Sequence, residues 1–376
     1  MDKENRKWIA YVKPPITLFG SSLNRPRELD PAEKWFSKCA ETINFTGYSS
    51  QWMELWKVYL KPDGLIWLLV KLPLRLVRGK YLLFTSNARD PQGIVAFLFG
   101  KLLRKPVVIY DSFYYWPKRF LAKLLWPFCK FTASHASVFT VSSERVKDFW
   151  KRGGIPENKI KGGHGLVSMI NVERKTILLA NQIKARLGYQ KVILFVGGLI
   201  ERKGIEYLIR SFASVSKEVP NAGLLIVGDG PDRNRLEGLR DGLKLNNVHF
   251  AGFVSQKELA AYYVLCDIFV LPSINLKVHE EWGLVVNEAM SVGKPVIVTD
   301  SVGCAYELVK NNVNGFIVPE KDTDALSKAI IKLLFDDDAR TRMGKESRKI
   351  IEEGFTYQHS INAIKDNIRS ALRQGS

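Results

Sequence analysis

From Lys191 onward the chain alternates between two apolar patterns. Short runs of consecutive, largely β-branched residues (KVILFV, LLIV, DIFVL, PVIV) end at Gly, Asp or Pro-Ser. Between them lie longer stretches with apolar residues at helical spacing, among them GIEYLIRSFASVSKEV and TDALSKAIIKLLFD. A continuous apolar run is what a strand covered on both faces requires, and an amphipathic helix is what covers it. Strict alternation of the two predicts βα units and a parallel, doubly wound sheet. NVHFAGFVS and GFIVPE add further strands; RNRLEGLRDGL, KELAAYYVLC, GLVVNEAMSVG and CAYELVKNN add helices.

The first half repeats the rhythm with longer insertions. KWIAYVK, KYLLFTS, KPVVIYD and ASVFTVSS read as buried strands, DPQGIVAFLFGKLL and SERVKDFWKRG as helices. Residues 168–190 carry no strand pattern and are expected to be the crossover between two domains. The expected division is 1–185 for an N-terminal Rossmann-like domain, 186–355 for a C-terminal one, and 356–376 for a terminal helix returning to the first. No G-x-G-x-x-G follows the first strand, which argues against a dinucleotide oxidoreductase. Ligands of such sheets bind beyond the carboxyl ends of the strands, so the cleft between two facing domains is the expected site.

The composition changes this picture in one respect. Over 376 residues, 46% hydrophobic and 25% charged residues fit an ordinary globular chain. Cys39, Cys129, Cys266 and Cys304 form no C-x-x-C pair, which suits a reducing cytoplasm. The N-terminal stretch has no signal-like apolar core, and no run is long enough for a spanning helix. The net charge of +18 is the informative number. Residues 1–190 hold 32 Lys and Arg against 14 Asp and Glu, whereas residues 191–376 hold 24 of each. The whole excess therefore lies in the first half, as expected of a face that meets phosphates, nucleic acid or an anionic bilayer.

Four stretches carry candidate chemistry. In VGGLIERKGIEYL a strand ends at Gly197-Gly198, and Arg202 and Lys203 precede Gly204 at a helix start, a place where cations and backbone N–H groups favour phosphate. VGDGPDRNRL reads mainly as fold: Gly supplies positive φ and Pro opens a helix. HEEWGLVVNEAM places Glu280 in a loop and Glu288 about one turn into the next helix, a separation that suits one elongated ligand held at two points. WPKRFLAKLLWPF reads as a helix with Phe120, Leu121, Leu124, Leu125 and Phe128 on one face and Lys118, Arg119 and Lys123 opposite. It is either a half-buried core helix or an interfacial one.

Taken in order, GGLIERKG, IVGDGP, NVHFAGFV, DIFVLPS, E-x(7)-E, GKPVIVTDSVG and NGFIVPE resemble the retaining glycosyltransferases of family 4, in detail from Val192 to Pro319. That resemblance implies the GT-B fold of two facing Rossmann-like domains and a nucleotide-sugar donor, UDP- or GDP-linked, bound in the C-terminal domain. It implies Lys203 on the donor diphosphate, Glu280 near the transferred sugar and Glu288 on the ribose. Gly283, Leu284 and Val285 would offer backbone amides to phosphate, and Val254 would lie near the base. The chain departs from the pattern at Gly198, where the family has arginine; Arg202 is the candidate replacement. Where the family has a histidine after the third N-terminal strand, this chain offers Asp111, which either positions or deprotonates the acceptor or caps a turn. Gly20 is the candidate for the first glycine-rich loop. Asp322-Thr323-Asp324 and Asp336-Asp337-Asp338 suit helix caps better than a metal, so no metal and no cofactor are expected. The resemblance and the basic half together lead to the expectation of a cytoplasmic enzyme, peripheral on the inner face of an anionic membrane, extending a lipid-linked glycan. A non-catalytic nucleotide-sugar binder and a nucleic-acid-binding protein are the alternatives; no nucleic-acid motif supports the last.

Overall fold

A computed structural model describes residues 9–13, 41–44, 82–86, 91–112, 120–162, 167–276 and 279–374. The chain forms two compact units, Met1–His164 with Tyr357–Ser376, and Gly165–Thr356.

In the first unit the described strands are β1 (Ile9–Lys13), β2 (Glu41–Asn44), β3 (Leu82–Ser86), β4 (Val107–Asp111), β5 (Val138–Val141) and β6 (Ile160–Lys161). All pair in parallel, in the order β2-β1-β3-β4-β5-β6. The helices are α1 (Pro91–Leu102), α2 (Phe120–His135) and α3 (Glu144–Arg152). Helix α3 starts where the Ser143 hydroxyl accepts from the Val146 N–H, an N-cap in the residue type that favours one. Phe97, Ile109, Cys129, Phe139, Val146 and Trp150 make the core, and Trp126 stacks on Trp150 with ring centroids 5.2 Å apart.

The second unit begins with helix α4 (Arg174–Leu187), in the stretch expected to be a crossover. Thr176 and Ala180 on this helix are buried, and Lys184 pairs with Asp267 at 3.4 Å. Helix α4 thus packs into the second unit, and the boundary falls at 164/165 instead of the expected 185/186.

Six described parallel strands follow: β7 (Lys191–Val196), β8 (Ala222–Val227), β9 (Val248–Gly252), β10 (Ile268–Leu271), β11 (Val296–Thr299) and β12 (Gly315–Val318). The intervening helices are α5 (Ile205–Glu218), α6 (Arg233–Gly242), α7 (Gln256–Leu265), α8 (Leu284–Ser291), α9 (Ala305–Leu308) and α10 (Thr323–Phe335). Helix α11 (Asp337–Gly354) closes the unit, and α12 (Tyr357–Gln374) belongs to the first. Lys161 on β6 donates to the Ser370 hydroxyl of α12 at 2.6 Å. The two Asp-x-Asp stretches are caps: Asp322 accepts from the N–H groups of Asp324 and Ala325, and Asp336 from that of Ala339.

The strand order β12-β11-β10-β7-β8-β9 reverses direction between β7 and β10. The loops leaving those two strands therefore diverge and open a crevice at the sheet's carboxyl edge. Gly204 sets how closely they approach. It has φ +64°, and a Cβ there would lie 2.0 Å from the Pro272 carbonyl oxygen on the other loop. Gly188 has a similar φ of +73° with open space around it. Gly188→Ala is expected to cost about 1 kcal/mol, the left-handed backbone penalty alone. Gly204→Ala should cost at least ~3 kcal/mol because the loops must also separate. Urea titrations of both variants check this, and equal losses would exclude the close approach as the constraint.

Candidate active site

The β7 loop runs through Gly197 and Gly198 into a 3-10 turn, Glu201–Lys203, and Gly204 then starts α5. Lys203 Cε lies beside Gly197, 3.6 Å from where a Cβ would be, an ordinary contact distance. The β10 loop brings Glu280 to the same place. Arg202 Nη1 and Lys203 Nζ each lie 2.5 Å from Glu280 Oε2, and the Ser273 hydroxyl donates to that oxygen at 3.2 Å. The loops are also joined through backbone, where the Ile274 N–H donates to the Arg202 carbonyl at 2.8 Å. Arg202, Lys203 and Glu280 are thus one charge cluster spanning the strand-order reversal.

Burial by itself would raise the Glu280 carboxyl pKa. The adjacent Lys203 and Arg202 charges outweigh this and hold it down at about 2. Glu280 stays ionised at any ordinary pH, and the cluster keeps one positive charge in excess.

The backbone around Glu280 is held as firmly as its side chain. Glu280 forms an isolated parallel bridge with Val302, and the Cys304 N–H donates to the Trp282 carbonyl at 2.9 Å. A Cβ on Gly303 would fall 1.8 Å from the Glu281 carbonyl oxygen, so the 301–304 loop lies directly on the 280–283 loop. Trp282 is buried, and its indole N–H donates to Asn287 Oδ1 at 2.7 Å. Gly283, at φ +94°, turns the chain into α8, and Leu284 and Val285 supply that helix's opening N–H groups. Such groups precede the first i→i−4 bond and carry the positive end of the helix dipole.

Glu288 lies half-buried on α8. Its Oε1 accepts from the Ser168 hydroxyl at 2.7 Å and its Oε2 from the Tyr263 hydroxyl at 2.6 Å. Tyr263 is fully buried, and burial together with the Glu288 charge pushes its phenol well above the ordinary value, so it remains a proton donor. These two partners were outside the reach of sequence reading, since they stand 120 and 25 positions from Glu288.

The other expected residues fall as follows. Gly198 is in the β7 loop, half-buried, and accepts from the Ile200 N–H at 3.0 Å. Val254 follows β9 with its side chain in the core, so only its backbone is available to a ligand; its neighbour Phe253 is the exposed side chain. Asp111 is fully buried at the carboxyl end of β4 in the first unit, its carbonyl accepting from the Ser142 N–H at 2.9 Å. Gly20 lies outside the described residues. A further polar group borders the β10 loop: Glu320 accepts from the Asn275 N–H and, at 2.7 Å, from the Ser301 hydroxyl.

The chain thus has two parallel α/β units, the second with the Arg202–Lys203–Glu280 cluster at its strand-order reversal. Over 96% of its length the chain superposes on 99% of HepE of Anabaena in complex with UDP-glucose, with TM-score 0.71 and 19% identity. Against sucrose-phosphate synthase of Thermosynechococcus elongatus the TM-score is 0.67 at 20% identity, over 97% of this chain and 89% of that one. The fold is therefore GT-B. Residues 180–350 match the family model described as "Glycosyl transferases group 1". An uncharacterized glycosyltransferase of Methanocaldococcus jannaschii is 34% identical over 246 residues, 62% of this chain and 61% of that protein. The GDP-mannose-dependent alpha-(1-6)-phosphatidylinositol monomannoside mannosyltransferase of Mycobacterium tuberculosis is 32% identical over 189 residues, 49% of each. The matches thus span roughly three-fifths and one half of these relatives.

The cluster yields a pH prediction. Because the folded-state pKa of Glu280 is depressed, its contribution is present above the unfolded value near 4.5 and is lost as pH falls toward about 2. Glu280→Gln is expected to lose on the order of 3 kcal/mol near neutrality. In paired urea titrations the gap between the two proteins should shrink steadily between pH 5 and pH 2. A gap that stays constant would show that the cations do not act through the Glu280 charge.

Proposed function

We propose that this protein is a glycosyltransferase that moves a sugar from a nucleoside-diphosphate donor to an acceptor hydroxyl with retention of configuration, the acceptor being a lipid-linked glycan presented at a membrane surface. The observation that carries the transfer reading is the convergence of Arg202, Lys203 and Glu280 where the loops of β7 and β10 part. Retention rests on the resemblance to family 4. The lipid-linked acceptor is supported by the basic first half, and by the mycobacterial relative, which is named for a phosphatidylinositol mannoside.

Breaking the bond between the sugar's anomeric carbon and the diphosphate leaves negative charge on the departing β-phosphate. Fixed cations and N–H dipoles lower that barrier because they need no reorganisation as the charge develops. Lys203 and Arg202 supply the cations, with Arg202 standing in for the family arginine replaced by Gly198. The opening amides of α8 supply the dipoles. This set performs the charge neutralisation that a divalent metal performs in other transferases. Glu280, released from its cations when the diphosphate takes them, becomes an acceptor for sugar hydroxyls. Glu288 accepts from the ribose, where protein hydroxyls already show that its carboxylate takes O–H donors. Relatives are named with GDP-mannose and neighbouring structures with UDP-glucose, so UDP and GDP donors both merit testing.

Thermal-shift titration with UDP, GDP, ADP and their sugars identifies the donor. Glu288→Ala is then expected to weaken nucleotide affinity about tenfold or more, the scale of a lost charge-assisted hydrogen bond. Glu280→Ala should reduce turnover at least ~100-fold with a smaller effect on nucleoside-diphosphate binding. The opposite pattern would exchange the two roles. Donor binding without hydrolysis or transfer to any acceptor would leave a non-catalytic nucleotide-sugar binder instead.

A further inference from the structure

Helices α1 and α2 turn large apolar side chains outward. Leu98 and Leu102 on α1 are 50% and 75% exposed; Leu124, Phe128 and Phe131 on α2 are 59%, 58% and 48% exposed. On each helix these residues recur at spacings of three and four, so each set forms one stripe. The two helices adjoin, the Phe131 ring meeting the edge of the buried Phe97 at 5.9 Å. The inward side of α2 is served by other residues: Cys129, Thr132 and Ala133 are buried, and Trp126 stacks on the core tryptophan. Helix α2 therefore has apolar residues on both sides, and Leu124 and Phe128, two members of the face expected from its periodicity, point away from the protein.

The charge around this patch is of one sign. Neither α1 nor α2 contains an Asp or Glu. Residues 91–143 hold seven Lys and Arg and a single acid, the buried Asp111. Lys101 lies within the α1 stripe, exposed, with its Nζ 5.8 Å from the Phe97 ring. Clustered exposed apolar side chains mark interaction surfaces. Exposed apolar side chains on a basic stretch of chain match an anionic bilayer, whose head groups meet the cations while its acyl region takes the leucines and phenylalanines. A nucleic acid would use the cations and leave the leucines unsatisfied.

We infer that the outward stripes of α1 and α2 form the surface by which this protein docks on an anionic lipid bilayer, Leu98, Leu102, Leu124, Phe128 and Phe131 entering the interface. This surface rests on the proposed membrane-presented acceptor and gives it a place on the molecule. It lies in the first unit, on elements separate from the charge cluster of the second.

The test is flotation of the full chain with vesicles of phosphatidylcholine, with and without phosphatidylglycerol, at low and high salt. Binding is expected only with phosphatidylglycerol and to weaken with salt. Leu102→Glu with Phe128→Glu should reduce the bound fraction at least about tenfold, since two exposed apolar groups then carry a charge that cannot enter the interface. The same variant should keep its thermal shift with the donor nucleotide and its rate of donor hydrolysis in free solution, which shows that it folds and that the transferase chemistry stands apart from docking. Equal binding of the variant and the parent protein would overturn the proposal. Failure of the parent to bind any vesicle would also overturn it. So would a parent dimer that the substitutions split, making the face a contact between copies, or retention of single-stranded RNA in place of vesicles. Loss of donor hydrolysis with vesicle binding intact would refute the transferase reading and leave the docking surface.

Discussion

One charge cluster joins the two loops on which the second unit depends. Strands β7 and β10 are neighbours in the sheet although β8 and β9 separate them in sequence. Their outgoing loops part at the carboxyl edge, and nothing in strand pairing holds the loops together. Glu280 does so, gripping Arg202 from the first loop and Lys203 beside it. Two cations so close would repel each other, and the buried Glu280 carboxylate between them offsets that repulsion. The arrangement keeps positive charge ready at the crevice, on short side-chain paths already ordered.

That cluster works only on a stiff frame, and the frame is made largely of backbone. Gly204 lets one loop lie against Pro272, and Gly303 lets the 301–304 loop lie on the peptide of Glu281. The bridge from Glu280 to Val302 and the hydrogen bond from Cys304 to Trp282 extend the sheet's order past the end of β11. The Thr299 hydroxyl donates to the Ser273 carbonyl at 2.5 Å, and Glu320 reaches back from beyond β12 to Asn275 and Ser301. Loops after β10, β11 and β12 are therefore one connected surface. A substitution in the 301–304 loop can displace Glu280 without touching it.

Much of this was legible in the sequence, for identifiable reasons. Central parallel strands must be apolar on both faces, so runs such as KVILFV declare themselves, and the helices between them follow from periodicity. Helix α4 does not stand out in the sequence as a domain element, because its start signal is weak. Glu173 before it makes no side-chain cap, and of its inward stripe only Thr176 and Ala180 are buried, with Leu179, Ile183 and Leu187 packed on the core but partly exposed. The cluster at Arg202, Lys203 and Glu280 was legible through the ordered set of motifs. Its geometry was beyond composition and spacing, because it arises where strands distant in sequence become neighbours. Val254 is instructive in a different way. The strand ends at Gly252, whose φ of +69° turns the chain, and this turn sends Phe253 outward and Val254 into the core.

The two acids in HEEWGLVVNEAM share a side-chain chemistry and differ in their surroundings. Glu280 meets cations, and its pKa is held low by charge. Glu288 meets two hydroxyls, one of them a phenol that burial keeps protonated. A carboxylate paired with cations exchanges partners when a more highly charged anion arrives, because the cations gain more from the newcomer. A carboxylate that accepts from protein hydroxyls has lone pairs already aligned for O–H donors. The eight-residue separation places the first acid in a loop anchored to the sheet and the second inside a helix, so the two environments stay independent. On the proposed reading that independence is the purpose of the spacing: a donor has a charged middle and hydroxyl-bearing ends, and a single acid could not be tuned to both.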